Sequence, residues 1–548
     1  MTSAEVARFL QKERRADLKQ IGTETWTTIY SYGNTNGTRG GYFCALVAEP
    51  MLRRVMEHDS WDLHIGDGLP GFSQRDSQKG KTVTMYHRLG DDNGIEPLVI
   101  KRTFHGIKPN SVELLEEFRH YHNLYHDRHS DRYIRIDDGG EEEVVAEVVN
   151  GAIRAKTRRL REFLAARQMH LAVFFDFDVI SNVDPEALPV EEREVAYREE
   201  GLRYSFYTGK IFENRPFSRL VGKKLVPPLQ LEQCGKWPHD EKKSQYAEFI
   251  TDVDADGNNV LHTCDPDVAD YGGTKGGAHF LMPVVFRREV LKKYYEHPEK
   301  YHVDDGYLSC GSLWGLNIDN DAAEHVTVFL GDLGQSLTYE EQLYWKSFNI
   351  APQGGGKDLS DVAIKRALHG EFADPWSPDL RFKAALTEFQ EAWEARHRWQ
   401  LIRNLRDEDA HVIKRLRMPL TPSSAEFEDQ VLSLTKLLVD SLNDKELARE
   451  LGGALKDEKS IAKLERFLSA KAYPQVRRDI DFLRLLQDAR SGTAAHRKGD
   501  AYKKLSQRLG LTSKPAAEVF GELLTSAVAM LEDMQHFFLA PSQSGPAN

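Results

Sequence analysis

The sequence predicts an α+β protein, with an N-terminal mixed α/β region followed by an all-α C-terminal helical bundle. Three observations carry that expectation. Over roughly the first 350 residues, short apolar or alternating runs are broken by glycine and asparagine, the pattern of strands and turns. At Gln353-Gly354-Gly355-Gly356-Lys357 the composition changes abruptly. Beyond that point apolar residues recur at steps of three and four, the period of helices with one buried face. The chain accordingly divides into 1–350, a sensor or gating region of one or two domains; 351–422, a linker with long connecting helices; 423–540, the bundle; and 541–548, a disordered tail.

Trp26 to Tyr32, Gly41 to Val47, Thr82 to Leu89 and Pro97 to Phe104 read as strands. Asp91-Asp92-Asn93-Gly94 suits a hairpin connection between the last two. Asn110 and Glu113 have the spacing of a capping box, which predicts a helix carrying Leu114, Phe118, Tyr121 and Tyr125. Val148 to Gln168 is basic and reads as helical. His170 to Ile180 is apolar enough for a strand buried on both faces. Pro185 to Gly201 reads as a charged surface excursion, Tyr246 to His262 as a hairpin, and His325 to Leu330 as a second buried strand. After the glycine run, 380–417 reads as one or two long helices with Phe382, Leu386, Phe389 and Trp393 on one face. Ser423 and Glu426 form a second capping box, opening a helix with Phe427, Val431, Leu434, Leu438 and Leu442 in register. Further helices are expected at about 445–470, 474–490, 499–509 and 515–538.

With 548 residues, 40% apolar and 29% charged, the composition is that of an ordinary globular protein. The net charge of −12 argues against general coating of nucleic acid, while leaving room for a local basic site. No stretch suits a signal peptide or a membrane span. The four cysteines show no metal-site spacing, so a reducing cytoplasm is expected.

The chemically suggestive stretch is Arg490-Ser491-Gly492-Thr493-Ala494-Ala495-His496. Val476, Ile480, Leu483, Gln487 and Arg490 fall on one stripe, so the core-facing line ends in a guanidinium suited to a phosphate. On an unbroken helix, six positions leave His496 about 120° from Arg490. Gly492 is a helix terminator that would let the two converge. From Lys471 to Lys514 there are eleven Lys and Arg against four Asp, a net +7 in an acidic chain, and phosphate backbones bind such regions.

An Arg-x5-His motif at a helix end within a helical bundle resembles the HEPN superfamily, whose motif is an arginine, four to six residues, and a histidine. The resemblance covers Ser424 to about Leu539; Ser491 stands where the family usually has asparagine, aspartate or histidine. It implies a dimeric, metal-independent endoribonuclease with no cofactor. Arg490 would stabilise the scissile phosphate and His496 would move protons as the RNA 2′-hydroxyl attacks. Arg497, Lys498, Lys503 and Lys504 are the accompanying RNA-binding candidates. The ordinary alternative is that Arg490 caps helix carbonyls and His496 is a turn residue.

Other constellations have simpler explanations. His122 and His126, one turn apart on the expected helix, with His129 and Asp127 or Asp131, have zinc-like spacing, but the interleaved Tyr121, Leu124 and Tyr125 suit an amphipathic face. Asp176 and Asp178 share a strand face and could meet Asp332 around Mg²⁺, although aspartates are common at strand ends. Asp252, Asp254, Asp256 and Gly257 begin like a calcium loop, yet position twelve is Thr263, so a polar hairpin tip is expected. Gly272 to Gly277 and Gly354 to Lys357 lack phosphate-loop spacing. Trp237, Trp314 and Trp345 are expected in cores.

The sequence therefore points to a cytoplasmic endoribonuclease of a bacterial anti-phage or toxin-type system. It would act on RNA as a homodimer through the bundle and answer an unknown phage or cellular trigger, without membrane contact. The alternatives are a non-catalytic dimerising scaffold whose N-terminal region recognises nucleic acid or protein, and a metal-dependent hydrolase in that region.

Overall fold

The computed structural model describes the chain outside residues 1, 36, 58–68, 77–79, 91–93, 212–213, 241–242, 244, 270–278, 323, 353–357, 367–373, 495–499 and 540–548; the side chains of 35, 407, 491–494 and 500–503 also stand outside the description. The architecture is α+β, with a large antiparallel sheet first and helices dominating the C-terminal part. Two compact units are formed, Met1–Asp137 with Glu141–Lys242, and Asp138–Gly140 with Lys243–Asn548.

The first unit is organised on one eleven-stranded sheet. Its path runs Glu194–Glu199, Leu202–Ile211, Arg215–Val226, Met169–Ile180, Thr38–Ala48, Trp26–Thr35, Ala152–Lys156, Glu142–Val149, Arg132–Ile136, Tyr125–Asp127, with Ile95–Pro97 also paired to Thr38–Ala48. Met169–Ile180 lies at the centre, and Leu171 through Phe175 are buried on both faces, as their unbroken apolar run predicts. One face carries Leu160, Phe163 and Leu164 of the helix Thr157–Arg167. Phe9, Leu10 and Leu18, at the N-terminal helices, are buried too.

Several local expectations yield to long-range pairing. Val148 to Gln168 is not one helix. Asn150 and Gly151, with φ of 51° and 76°, turn the chain tightly between Glu142–Val149 and Ala152–Lys156, and the helix begins only at Thr157. The capping box at Asn110 does not form: Ser111–Leu114 pairs with Val99–Arg102, and the helix is Glu116–Tyr121. Thr82–His87 pairs with Gly71–Asp76 rather than with the next run, and Asp91 to Asn93 lie outside the described residues.

In the second unit, Pro283–Arg287 pairs between His325–Phe329 and Asn349–Ile350. A three-stranded meander spans Tyr301–Asp304, Tyr307–Cys310 and Trp314–Asn317. Their core holds Phe286, Tyr294 and Trp345, and the Trp345 indole donates to the Tyr294 hydroxyl at 2.6 Å. Trp237 departs from expectation, being 86% exposed. The expected hairpin forms as Glu248–Val253 with Asn259–Thr263, and Asp254 at its polar tip accepts from the backbone of Asp256 and Asn258.

After residue 373 the helices are Pro378–His397, Ser424–Thr435, Asp444–Glu450, Ser460–Ala470, Val476–Ala494, Asp500–Leu509 and Ala516–Leu539, besides shorter turns. Pro378–His397, expected among connecting helices, lends Phe382, Leu386, Phe389 and Trp393 to the same core as Val431, Phe467 and Leu531. Ser423 precedes a helix as predicted but makes no side-chain cap; Glu426 instead accepts from Leu420 N and Thr421 N and pairs with Arg417. No helix among the described residues is long and apolar enough to cross a membrane.

Candidate functional site

Arg490 lies four residues before the end of Val476–Ala494. The buried apolar side chains among the described residues of this helix are Ile480, Leu483, Leu486 and Ala489, spaced by three, so the stripe drifts round the cylinder and Gln487 is exposed. Arg490 follows the buried Ala489 and is itself half-exposed.

Opposite stands an irregularity in the helix opened by Ser424. Lys436–Asp440 winds as a π-turn, which inserts an extra residue and buries Leu437, Leu438 and Val439 together. Asp440 ends that turn. The Arg490 Nη1 contacts both Asp440 carboxylate oxygens, Oδ1 at 2.5 Å. The side chains are 43% and 38% exposed, so this is a surface pair of modest stabilising value, about 0–1 kcal/mol. A second guanidinium adjoins it: Arg403 Nη2 donates to the Asp440 carbonyl at 3.3 Å, and Arg403 N to the Ser441 carbonyl at 2.8 Å. Arg490 thus meets the Asp440 carboxylate, while Arg403 meets the backbone carbonyl of the same residue. The contacts made by Asp440 give Arg490 a defined orientation, the property a phosphate-binding arginine requires.

The helix does not stop at Gly492; it runs on to Ala494, contrary to the expected break. Neighbouring turns supply enough hydrogen bonding to carry a glycine, whose helix penalty is only about 1 kcal/mol. His496, Arg497 and Lys498 lie outside the described residues. Lys503 is on the helix Asp500–Leu509 with its side chain outside the description, and Lys504 there is exposed.

The +7 stretch is not a bare positive surface. Arg478 pairs with Asp479 and Asp533, Arg484 with Glu465, Arg508 with Asp488, and Lys514 with Glu518 and Glu522. With Asp440, five of those carboxylates come from outside the counted window and offset its charge. Asp440 and Arg403 could not be singled out from sequence. The one local hint was the apolar run Leu437-Leu438-Val439, too dense for a one-faced helix, directly before an aspartate.

The histidines are separated. The helix ends at Tyr121, leaving His122 as its cap and His126 on a strand, so they are not one helical turn apart. The His122 Nε2 lies 2.8 Å from the Arg159 carbonyl, between the rings of Phe118 and Tyr121, and burial pulls its pKa down to about 4. His126 stacks on Tyr133 and contacts Asp131 at 2.8 Å; His129 is exposed. Asp176 is held by Arg219 at 2.7 and 2.9 Å, with Asp178 at 3.6 Å from the same guanidinium. Asp332 belongs to the other unit, where it lines a cavity of about 380 Å³ with Asp305, Asp319, Asp321, Val328 and Arg366. No group of three potential metal ligands occurs among the described residues. Gly272 to Gly277 and Gly354 to Lys357 lie outside them. Comparison with protein-family models, curated proteins and solved structures finds no match to this chain.

Proposed function

We propose that the C-terminal helices form a HEPN-like, metal-independent endoribonuclease of a bacterial anti-phage or toxin-type system, working as a homodimer. The observation that carries this is the oriented, half-exposed guanidinium of Arg490, on a helix that leads within six residues to His496. In the reaction, the RNA 2′-hydroxyl gives up its proton and its oxygen attacks the adjacent phosphorus. The P–O5′ bond breaks, leaving a cyclic phosphate and a 5′-hydroxyl that takes up a proton. Arg490 offsets the charge gathering on the phosphoryl oxygens, and His496 carries protons near neutral pH.

The test is incubation with total RNA in EDTA, wild type beside Arg490→Ala and His496→Ala. Cleavage that survives the chelator and falls by roughly 10²–10³-fold in each variant supports the proposal. Cleavage abolished by EDTA moves the chemistry to a metal site.

A non-catalytic dimerising scaffold is the second reading. It draws on the pairing of Arg478, Arg484, Arg490, Arg508 and Lys514 with carboxylates, which lowers the attraction of the bundle for a polyanion. Absence of cleavage under every condition, with a dimer by sedimentation, would favour it.

A further inference from the structure

The hairpin Gly71–Asp76 with Thr82–His87 pairs with no other strand among the described residues. Isolated two-stranded ribbons are marginal in water, yet this one is open to solvent on both faces. Phe72 and Tyr86 are 75% and 58% exposed, and Val83 and Met85 are about half exposed. Exposed apolar groups gathered in one element mark an interaction surface more often than an accident of packing.

The pattern on the ribbon indicates what it meets. Phe72 and Tyr86 stand directly opposite in register, with ring centroids 5.3 Å apart at an interplanar angle of 62°. The next pair on the same face is Gln74 with Thr84, amide against hydroxyl, 3.4 Å apart. Residues 71–90 contain Arg75, Lys79, Lys81 and Arg88 against the single acid Asp76, a net +3 in a chain of −12. Arg75 and Arg88 are exposed, and Asp76 accepts from the Thr82 hydroxyl at 2.8 Å. Lys79 lies outside the described residues and enters only as charge.

We infer that this hairpin is a docking surface for single-stranded nucleic acid. Bases stack on Phe72 and Tyr86, Gln74 and Thr84 offer hydrogen bonds to base edges, and Arg75 and Arg88 neutralise phosphates. A polyanion with flat bases gains from both the exposed rings and the net positive charge. The hairpin belongs to the first unit, and the inference does not rest on the reading of Arg490.

The test is fluorescence anisotropy of the full chain with a labelled oligothymidylate of about twelve nucleotides. Lacking 2′-hydroxyls, this probe is not cut by the chemistry proposed above, so binding is read whether or not the protein is a ribonuclease. Phe72→Ala with Tyr86→Ala is expected to weaken binding at least about tenfold. Arg75→Gln with Arg88→Gln is expected to flatten the slope of log affinity against log salt by about 1.4, the loss of two phosphate contacts. All four side chains are exposed, and circular dichroism and the unfolding midpoint are expected to stay at wild-type values. No binding at low salt, or undiminished binding by the aromatic variant, overturns the inference. So does a dimer, seen by sedimentation, that dissociates in the aromatic variant while the wild type binds no oligonucleotide.

Discussion

Replacing Gly492 with alanine separates two geometries of the helix that carries Arg490. Val476–Ala494 runs through position 492, two residues before its last. Within a helix, glycine costs about 0.5–1 kcal/mol relative to alanine, because it gives up more backbone freedom on folding. So close to a terminus, where the last turn frays, the lower end applies, and Gly492→Ala is expected to stabilise by about 0.5 kcal/mol. In a unit of this size that is a rise of roughly 1–2 °C in the unfolding midpoint. Were Gly492 instead a terminator in the left-handed region, the added Cβ would cost about 1–2 kcal/mol and the sign would reverse. Calorimetry and urea unfolding of the full chain read the difference. A loss of more than about 0.5 kcal/mol would refute the continuous helix. The sign bears on the candidate site: a helix intact to Ala494 carries the chain about 6 Å beyond Arg490 before any turn toward His496 begins.

Three further outcomes are expected. Arg490→Ala should change stability by less than about 1 kcal/mol in urea unfolding, since its partner Asp440 is exposed as well; a larger loss would make it a structural residue. Tyr294→Phe should destabilise by about 1–3 kcal/mol in the same assay, because the Tyr294 hydroxyl accepts from Trp345 and donates to Glu341 in a buried core. His122, with its pKa lowered to about 4 by burial, is neutral when folded and takes up a proton more readily when unfolded. Its contribution is therefore fully present above about pH 6.5 and is lost as pH falls from there toward 4, on the order of 3 kcal/mol in total. Thermal unfolding at pH 7, 5.5 and 4.5 should show that slope in the wild type and a shallower one in His122→Gln; parallel curves would remove His122 as its source.

Segments whose own side chains dictate their burial were legible in the sequence. Leu171 to Phe175 and His325 to Val328 are buried on both faces, and Ala516–Leu539 holds one apolar stripe for six turns, so each reads as one kind of element from its own side chains. The hairpin Glu248–Thr263 followed from alternation around a polar tip. Although the buried stripe runs through Leu486 and Ala489 and not through Gln487, Arg490 was visible as an arginine near a helix end. What it touches was not, because Asp440 lies fifty positions earlier and the π-turn that presents it depends on how two helices pack. The same distance effect turned a linear +7 into a set of ion pairs, and drew Ser111–Leu114 into a strand beside Val99–Arg102 despite a helix-start signal. Periodicity is a property of neighbours along the chain and fixes which face is buried; charge pairing and strand partnership are settled only by which distant segments the folded chain brings together.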